Sequence, residues 1–433
     1  MKKKHIRFMT GLMLAMTLLA GCSDKDSKGD LEAQKEKESQ LITENQTKSQ
    51  NITQQSEPSQ TLQNENVYDG INRIAVTFCG DTSTQMGLSW YTPYHEDFNY
   101  GNDVQVLDKA TLEVQQVEYE VLAGEAEYDE NSMYHQTVVK GLLPGTKYYF
   151  RVGDTKANQW SEYGSFRTSA ADVEEFSFVA LTDTQSKHLP DAFFSADTMR
   201  QAVATAVNSA FIMHSGDFVN EGDEEELWIG QMNAAKDILL HSVIAPAVGN
   251  HEEEAHAFWQ HFTLEHTNDH KTTGIYYSYD YGNVHFVVLD TNKENEEETS
   301  YIDDEQLEWL EADLKQAREN GASWIIVNMH KGLYTLGEHA DNEKFAGEDG
   351  VIYINTGAAG AKSYEVEYDL MPKQYYELFE YQASTDRDND VYQNFAVVDV
   401  SEEQLTVTMY EMNQLAVDNQ KYVIADFTIK NNK

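Results

Sequence analysis

Between residues 176 and 330, four short apolar runs each break off at residues of metal-ligand type. LTDTQ carries Asp183, HSGDFVN carries Asp217, VGNHE carries Asn250 with His251, and VNMHK carries His330. In an open α/β sheet, ligands gather just beyond the carboxyl ends of the strands, so four such ends can converge on one spot. A single GD or GN is usually a turn, and a single strand-end histidine is usually a satisfied core residue. Four of them in order, each closing a buried run, point instead to a polynuclear or mononuclear metal site.

The intervening sequence supports an α/β reading. FSFVAL (Phe176 to Leu181) reads as a buried strand, Ala196 to Ala210 as a helix, and FIMHSGD as the start of a second strand. DEEELWIGQMNAAKDILLH reads as another helix and SVIAPAVGN as a third strand. YYSYDYGNVHFVVLD (Tyr276 to Asp290) predicts a hairpin around Gly282-Asn283. Leu307, Leu310, Leu314 and Ala317 predict the inner face of a helix from Asp303 to Gly321, followed by a buried strand over Trp324 to Asn328. From Val351 to Ile429 the alternation suits antiparallel strands.

Ahead of this block, from Ile71 to about Arg167, the pattern is different. Short alternating runs are split by Gly, Asp, Asn and Pro, which is all-β punctuation. In LLPGTKYYFRVGD, Thr146, Tyr148, Phe150 and Val152 fall on one face while Lys147, Tyr149 and Arg151 fall on the other. With the Trp-bearing run GLSWYT, the block looks like a fibronectin type III sandwich. It holds no cluster of acids, bases or ligands, and its expected role is that of a spacer or docking platform.

The N-terminus reads as an address. Lys2, Lys3, Lys4 and Arg7 precede an apolar stretch from Phe8 to Ala20 that ends in LLAGC, which resembles a bacterial lipoprotein signal with Cys22 as the acylated residue. Residues 1–21 are then a leader, and 22–66, rich in Ser, Gln, Lys, Glu, Asn and Thr, a disordered polar stalk. The expected location is the outer face of a bacterial membrane, attached through lipidated Cys22. The remaining cysteine, Cys79, has no partner for a disulfide. With 74 acidic against 31 basic residues the formal charge is −43, which excludes nucleic acid as a natural partner.

The ordered motifs resemble those of the calcineurin-like metallophosphoesterases, and the preceding sandwich makes the chain similar to purple acid phosphatase-type proteins. The strings DYGNVHFVVLDTN, DDEQLEWLEADL and GVIYINTGAAG carry the likeness further. The resemblance implies a β-sandwich core flanked by helices over residues 171–433, behind an all-β domain over 67–170. It implies a phosphate-ester substrate and two divalent ions (Fe, Zn or Mn), with Asp183 on the first, Asp217 bridging, Asn250 and His330 on the second, and His251 facing the substrate as proton donor. Paired cations clamp a phosphate and lower the pKa of a water.

Three departures qualify what is implied. Gln185 stands where most relatives carry a histidine ligand. Asn220 stands where purple acid phosphatases carry a tyrosine, so the charge-transfer colour is expected to be absent and divalent metals favoured. The family's GHxH motif has no counterpart: TLGEHADNEKFAGEDG, between Tyr334 and Val351, is too short for a crossover and a ligand-bearing strand. His339 and His188 lie nearby in sequence without the family's spacing. The departures leave two readings, a phosphomonoesterase holding a pair or a single cation, and a catalytically degenerate relative that binds a ligand at the cell surface. The other histidines between 241 and 270, with Glu252 to Glu254, read as an exposed acidic loop and helix.

Overall fold

The computed structural model describes residues 66–170, 172–252, 256–265, 275–293, 302–332, 354–361, 392–414 and 420–431. Residues 64–433 form one compact unit. Cys22, the leader, nearly all of the polar segment, His266, His270 and His339 lie outside the described residues. Among those described, no helix is long and apolar enough to cross a membrane.

The first block supplies β1 (Asn72–Thr77), β2 (Gln85–Pro93), β3 (Asp103–Asp108), β4 (Leu122–Ala126), β5 (Asp129–Lys140), β6 (Lys147–Asp154), β7 (Gln159–Trp160) and β8 (Gly164–Arg167). The second supplies β9 (Glu175–Leu181), α1 (Leu189–Thr205), β10 (Ile212–His214), α2 (Glu225–Ala234), α3 (Lys236–Leu239), β11 (Val243–Pro246) and α4 (His256–His261). After these come β12 (Tyr277–Tyr281), β13 (Val284–Leu289), α5 (Asp304–Glu319), β14 (Trp324–Met329), β15 (Tyr392–Ser401), β16 (Gln404–Asn413) and β17 (Lys421–Lys430).

The described strands form three sheets. A ten-stranded sheet runs β17-β16-β15-β9-β10-β11-β1-β2-β5-β4, a three-stranded sheet runs β12-β13-β14, and a four-stranded sheet joins β3, β6, β7 and β8. β9, β10 and β11 are parallel, and burial on both faces explains why they read as unbroken apolar runs. The small sheet packs on the large one through aromatic rings: Phe286 of β13 meets Phe178 of β9 edge-on at 5.5 Å and Phe211 at 5.2 Å. This is the expected α/β arrangement, a β-sandwich core with helices outside it.

The first block is more closely joined to the second than a spacer would be. β1 pairs in parallel with β11, Val76 opposite Val243, so that half of its strands extend the sheet that carries Asp183 and Asp217. A buried charge network fastens the same seam. Arg73, just 4% exposed, donates to Glu225 at 2.5 Å and to Ser132, and stacks on Tyr91 at 4.0 Å. His261 lies 3.1 Å from the same Glu225 oxygen and stacks on Trp228 at 4.3 Å. His261 is therefore a core residue, not part of an exposed loop.

Helix boundaries differ from the sequence pattern in three places. α1 begins at Leu189 instead of Ala196, because Pro190 in the first turn has no N–H to place and its fixed φ suits a helix start. The Asp223 to His241 helix breaks at Ala235 into α2 and α3. In α5 the inner face is turned: Gln306 and Ala317 are buried while Leu307 is 44% exposed. Gln306 occupies that face because its amide clamps Asp290, accepting from the Asp290 N–H at 2.9 Å and donating to its carbonyl at 2.8 Å.

Candidate metal centre

Asp183 and Asp217 each follow a parallel strand of the large sheet, and both take the left-handed conformation at φ 54°. Aspartate tolerates this region better than most residues, but the conformation still stores strain that the surroundings must hold. Two backbone bonds do so: the Asp183 N–H donates to the Gly216 carbonyl and the Gln185 N–H to the Asp217 carbonyl, both at 3.0 Å. Behind them, the Gly360 N–H donates to the Asp183 carbonyl at 2.9 Å, which ties the string GVIYINTGAAG to the motifs.

Two glycines let the loops close on each other. A Cβ on Gly249 would lie 2.1 Å from the Asp217 nitrogen and 2.2 Å from its Oδ1. A Cβ on Gly216, at φ 99°, would lie 2.8 Å from the His330 ring.

His330 comes to the same point from the small sheet. Its Nδ1–H donates to the Ser215 carbonyl at 2.9 Å, which leaves Nε2 3.2 Å from Asp217 Oδ1 and 3.0 Å from Asn250 Oδ1. Asp183, Asp217 and His330 each offer a ligand atom, all within 4.8 Å of one another. Burial alone would lower the His330 pKa, but the charge and hydrogen bond of Asp217, with Asp183 behind it, raise it to about 10. Burial likewise opposes ionisation of Asp217, yet His330 and then His251 bring it down to about 2.

His251 borders this cluster. Its N–H donates to Asp217 Oδ1 at 3.1 Å, its Nδ1 bonds the Asn220 carbonyl at 2.6 Å, and its Nε2 lies 3.6 Å from Asp217 Oδ2 on the partly exposed side. The Gln185 amide donates to Asp217 Oδ2 at 3.0 Å. The Asn220 amide donates to Glu221 at 2.8 Å. His188, by contrast, is the exposed N-cap of α1, with no place in the cluster.

Two residues carry the site without having been singled out in the sequence. Glu252 is fully buried, so the reading of an exposed acidic loop fails there. Its carboxyl accepts from the N–H groups of Asp217 at 3.1 Å, Val219 at 2.9 Å and Gly249 at 2.9 Å, binding two loops together. Burial, then the charge of Asp217, pushes it up to about 8. His214 is buried and pushed down to about 3 by that burial, hence neutral; it accepts from the Gly216 N–H at 3.2 Å and bonds Thr184 Oγ1 at 2.9 Å. The adjacency of Glu252 to Asn250-His251 was the one available signal.

The donor set suits a divalent cation: carboxylates, an amide oxygen and an imidazole with its second nitrogen anchored to a carbonyl. Gln185 Oε1 and Asn220 Oδ1 are among the buried amide oxygens with no donor among the described residues, which leaves their lone pairs for a cation.

Comparison with known proteins agrees with this geometry. Residues 71–168 match the purple acid phosphatase N-terminal domain, and residues 176–357 the calcineurin-like phosphoesterase domain. Purple acid phosphatase 23 of Arabidopsis thaliana is 24% identical over 307 residues, covering 58% of this chain and 64% of that protein. Purple acid phosphatase 22 of the same plant is 24% identical over 226 residues, 48% of this chain and 46% of that one. The chain thus spans about half to two thirds of these relatives' length. A purple acid phosphatase from yellow lupin (Lupinus luteus) seeds shares the fold, with a TM-score of 0.62 at 16% identity over 83% of this chain and 74% of that one. Sequence motifs, sheet order and the grouping of Asp183, Asp217 and His330 lead to one assignment: residues 71–168 are a purple acid phosphatase N-terminal domain and residues 176–357 a calcineurin-like phosphoesterase domain.

Proposed function

We propose that this chain hydrolyses a phosphate monoester by direct attack of water, without a covalent enzyme intermediate, at the outer face of a membrane to which Cys22 anchors it. The observation that carries the reading is the meeting of Asp183, Asp217 and His330 within 4.8 Å, although they arise from two sheets. Asp183, Asp217, Asn250 and His330 would hold the cations, and the amide oxygens of Gln185 and Asn220, which no described donor satisfies, would be available as further ligands. A bound divalent ion supplies Lewis acidity, which polarises a phosphoryl oxygen and makes a water acidic. His251 Nε2, on the partly exposed side of Asp217, is placed to donate a proton to a phosphoryl or leaving-group oxygen. The Asn220 carbonyl fixes that ring by holding Nδ1.

A second reading, a degenerate relative that binds its ligand without turnover, is favoured by the missing GHxH between His330 and Gly357. Titration with Zn²⁺ or Mn²⁺ coupled to hydrolysis of a chromogenic phosphate ester separates the two. Turnover that rises with bound metal and disappears in Asp217→Ala supports the enzyme. Metal binding with no turnover supports the binding module.

A further inference from the structure

The outer face of the four-stranded sheet gathers four cations, with Asp103 on the same face and Glu162 at its border, on a chain of formal charge −43. Along β6, Tyr148, Phe150 and Val152 are buried, whereas Lys147, Tyr149 and Arg151 face outward. Arg167 of β8 lies directly opposite Lys147, and Gln105 of β3 opposite Arg151. Lys109 joins them: its N–H donates to the Lys147 carbonyl at 2.9 Å and its Nζ lies over the Tyr149 ring at 5.6 Å. Arg151 is held between Trp160 at 4.5 Å and Tyr163 at 4.9 Å, with its Nε donating to Gln105 at 2.7 Å, and Arg167 donates to the Gly145 carbonyl at 2.8 Å.

The position of Asn66 bears on which anion these cations meet. Asn66 and Tyr68 bracket Trp160: the Trp160 N–H donates to the Asn66 carbonyl at 3.1 Å, and the Tyr68 N–H to the Trp160 carbonyl at 2.8 Å. Asn66, the first described residue, therefore lies beside the edge of the sheet that carries this face.

We infer that this face docks on an anionic lipid bilayer, with Lys109, Lys147, Arg151 and Arg167 on the headgroup phosphates and the half-buried Tyr149 and Tyr163 at the interface. The inference rests on the membrane-anchored reading above, but it concerns a surface that can be tested without the lipid. Repulsion from the acidic remainder of the molecule does not forbid it, because charges farther than about 8 Å are largely screened at physiological ionic strength.

The test uses residues 23–433, which retain the whole compact unit and lack Cys22, in sedimentation with vesicles. Vesicles of phosphatidylcholine alone are compared with vesicles holding equal parts of phosphatidylcholine and phosphatidylglycerol. The expected result is binding to the anionic vesicles only, lost at high salt. Arg151→Glu and Arg167→Glu are each expected to weaken it by about fivefold or more, and Lys315→Glu, on α5 and outside the four-stranded sheet, to leave it nearly unchanged. No binding to anionic vesicles, or binding indifferent to Arg151→Glu and Arg167→Glu, overturns the inference. So does equal binding to a soluble sulfated polysaccharide, which would reassign the face to an anionic polymer. Lipid labelling of Cys22 in the full chain tests the anchor separately.

Discussion

His330 Nε2 stands 3.2 Å from Asp217 Oδ1, although one residue follows a strand of the small sheet and the other a strand of the large one. Without metal the two form an ion pair over the neutral range, His330 being raised to about 10 and Asp217 lowered to about 2. A cation ligated by His330 Nε2 would have to displace the proton that Nε2 carries in this pair.

Metal binding should therefore release that proton. At pH 8, about one proton per Zn²⁺ is expected to leave, since imidazole ligates only when neutral. Calorimetric titration in buffers of different ionisation enthalpy measures the number directly. Binding with no proton release would remove His330 from the ligand set.

Gly249→Ala should abolish tight metal binding more completely than it unfolds the protein. The new Cβ meets both the nitrogen and Oδ1 of Asp217, so the carboxylate must move. Overpacking of this kind costs about 1–3 kcal/mol. Denaturant unfolding beside metal titration reads both effects, and wild-type affinity in this variant would contradict the loop geometry.

Glu252→Ala leaves three buried N–H groups, those of Asp217, Val219 and Gly249, without their acceptor. Each unsatisfied donor costs about 1–3 kcal/mol, so a loss of at least about 3 kcal/mol is expected unless water enters. Metal affinity should fall by roughly 10–100-fold, as for other residues that orient ligands. A thermal melt within a degree or two of wild type would show that Glu252 is dispensable.

Arg73→Met should destabilise by about 3–5 kcal/mol, because buried Glu225 would lose its guanidinium partner and keep only His261 beside it. The double variant Arg73→Met with Glu225→Leu is expected to recover much of this. Urea unfolding of the four members of the cycle gives the coupling, and simple additivity would mean that the seam is not held by this pair.

Alkaline pH should weaken the seam between α5 and the β12–β13 hairpin. His285 lies 2.7 Å from both Asp280 and Asp313; burial works against its charge, but these two hydrogen bonds raise its pKa from 6.5 to about 9. Since the folded value exceeds the unfolded one, its contribution is fully present below about pH 6.5 and is lost as pH rises through about 9. The melting temperature should fall over that window, and His285→Gln should flatten the fall. An unchanged slope in this variant would assign the effect elsewhere.

Much of the site is legible in the amino-acid sequence, for a physical reason. Parallel strands buried on both faces must be unbroken apolar runs, and a polar metal ligand at their ends stands out against them. Asp183, Asp217 and Asn250 are visible on that account, as is the Tyr276 to Asp290 hairpin, where Gly282 takes φ 60° at the turn. His330 follows β14, which is expected to be buried but is mostly half-buried, with Val327 39% exposed. Glu252 is not visible. It sits in a run of three glutamates, and nothing local distinguishes the one that accepts three buried amides from an acid in solvent. Nor is the left-handed backbone of Asp183 and Asp217 visible, since aspartate occupies that region only when its surroundings hold it there.

The sequence alone determined which residues could bind a metal and the order in which the strands deliver them, because local chemistry and periodicity are written residue by residue. Only the tertiary structure decided that β1 joins β11, that Arg73 and Glu225 pair across 152 positions, and that Gly249 must be bare for Asp217 to fit. These depend on packing between segments far apart in the chain, where several pairings have similar local preferences and the global burial of apolar and polar groups selects one.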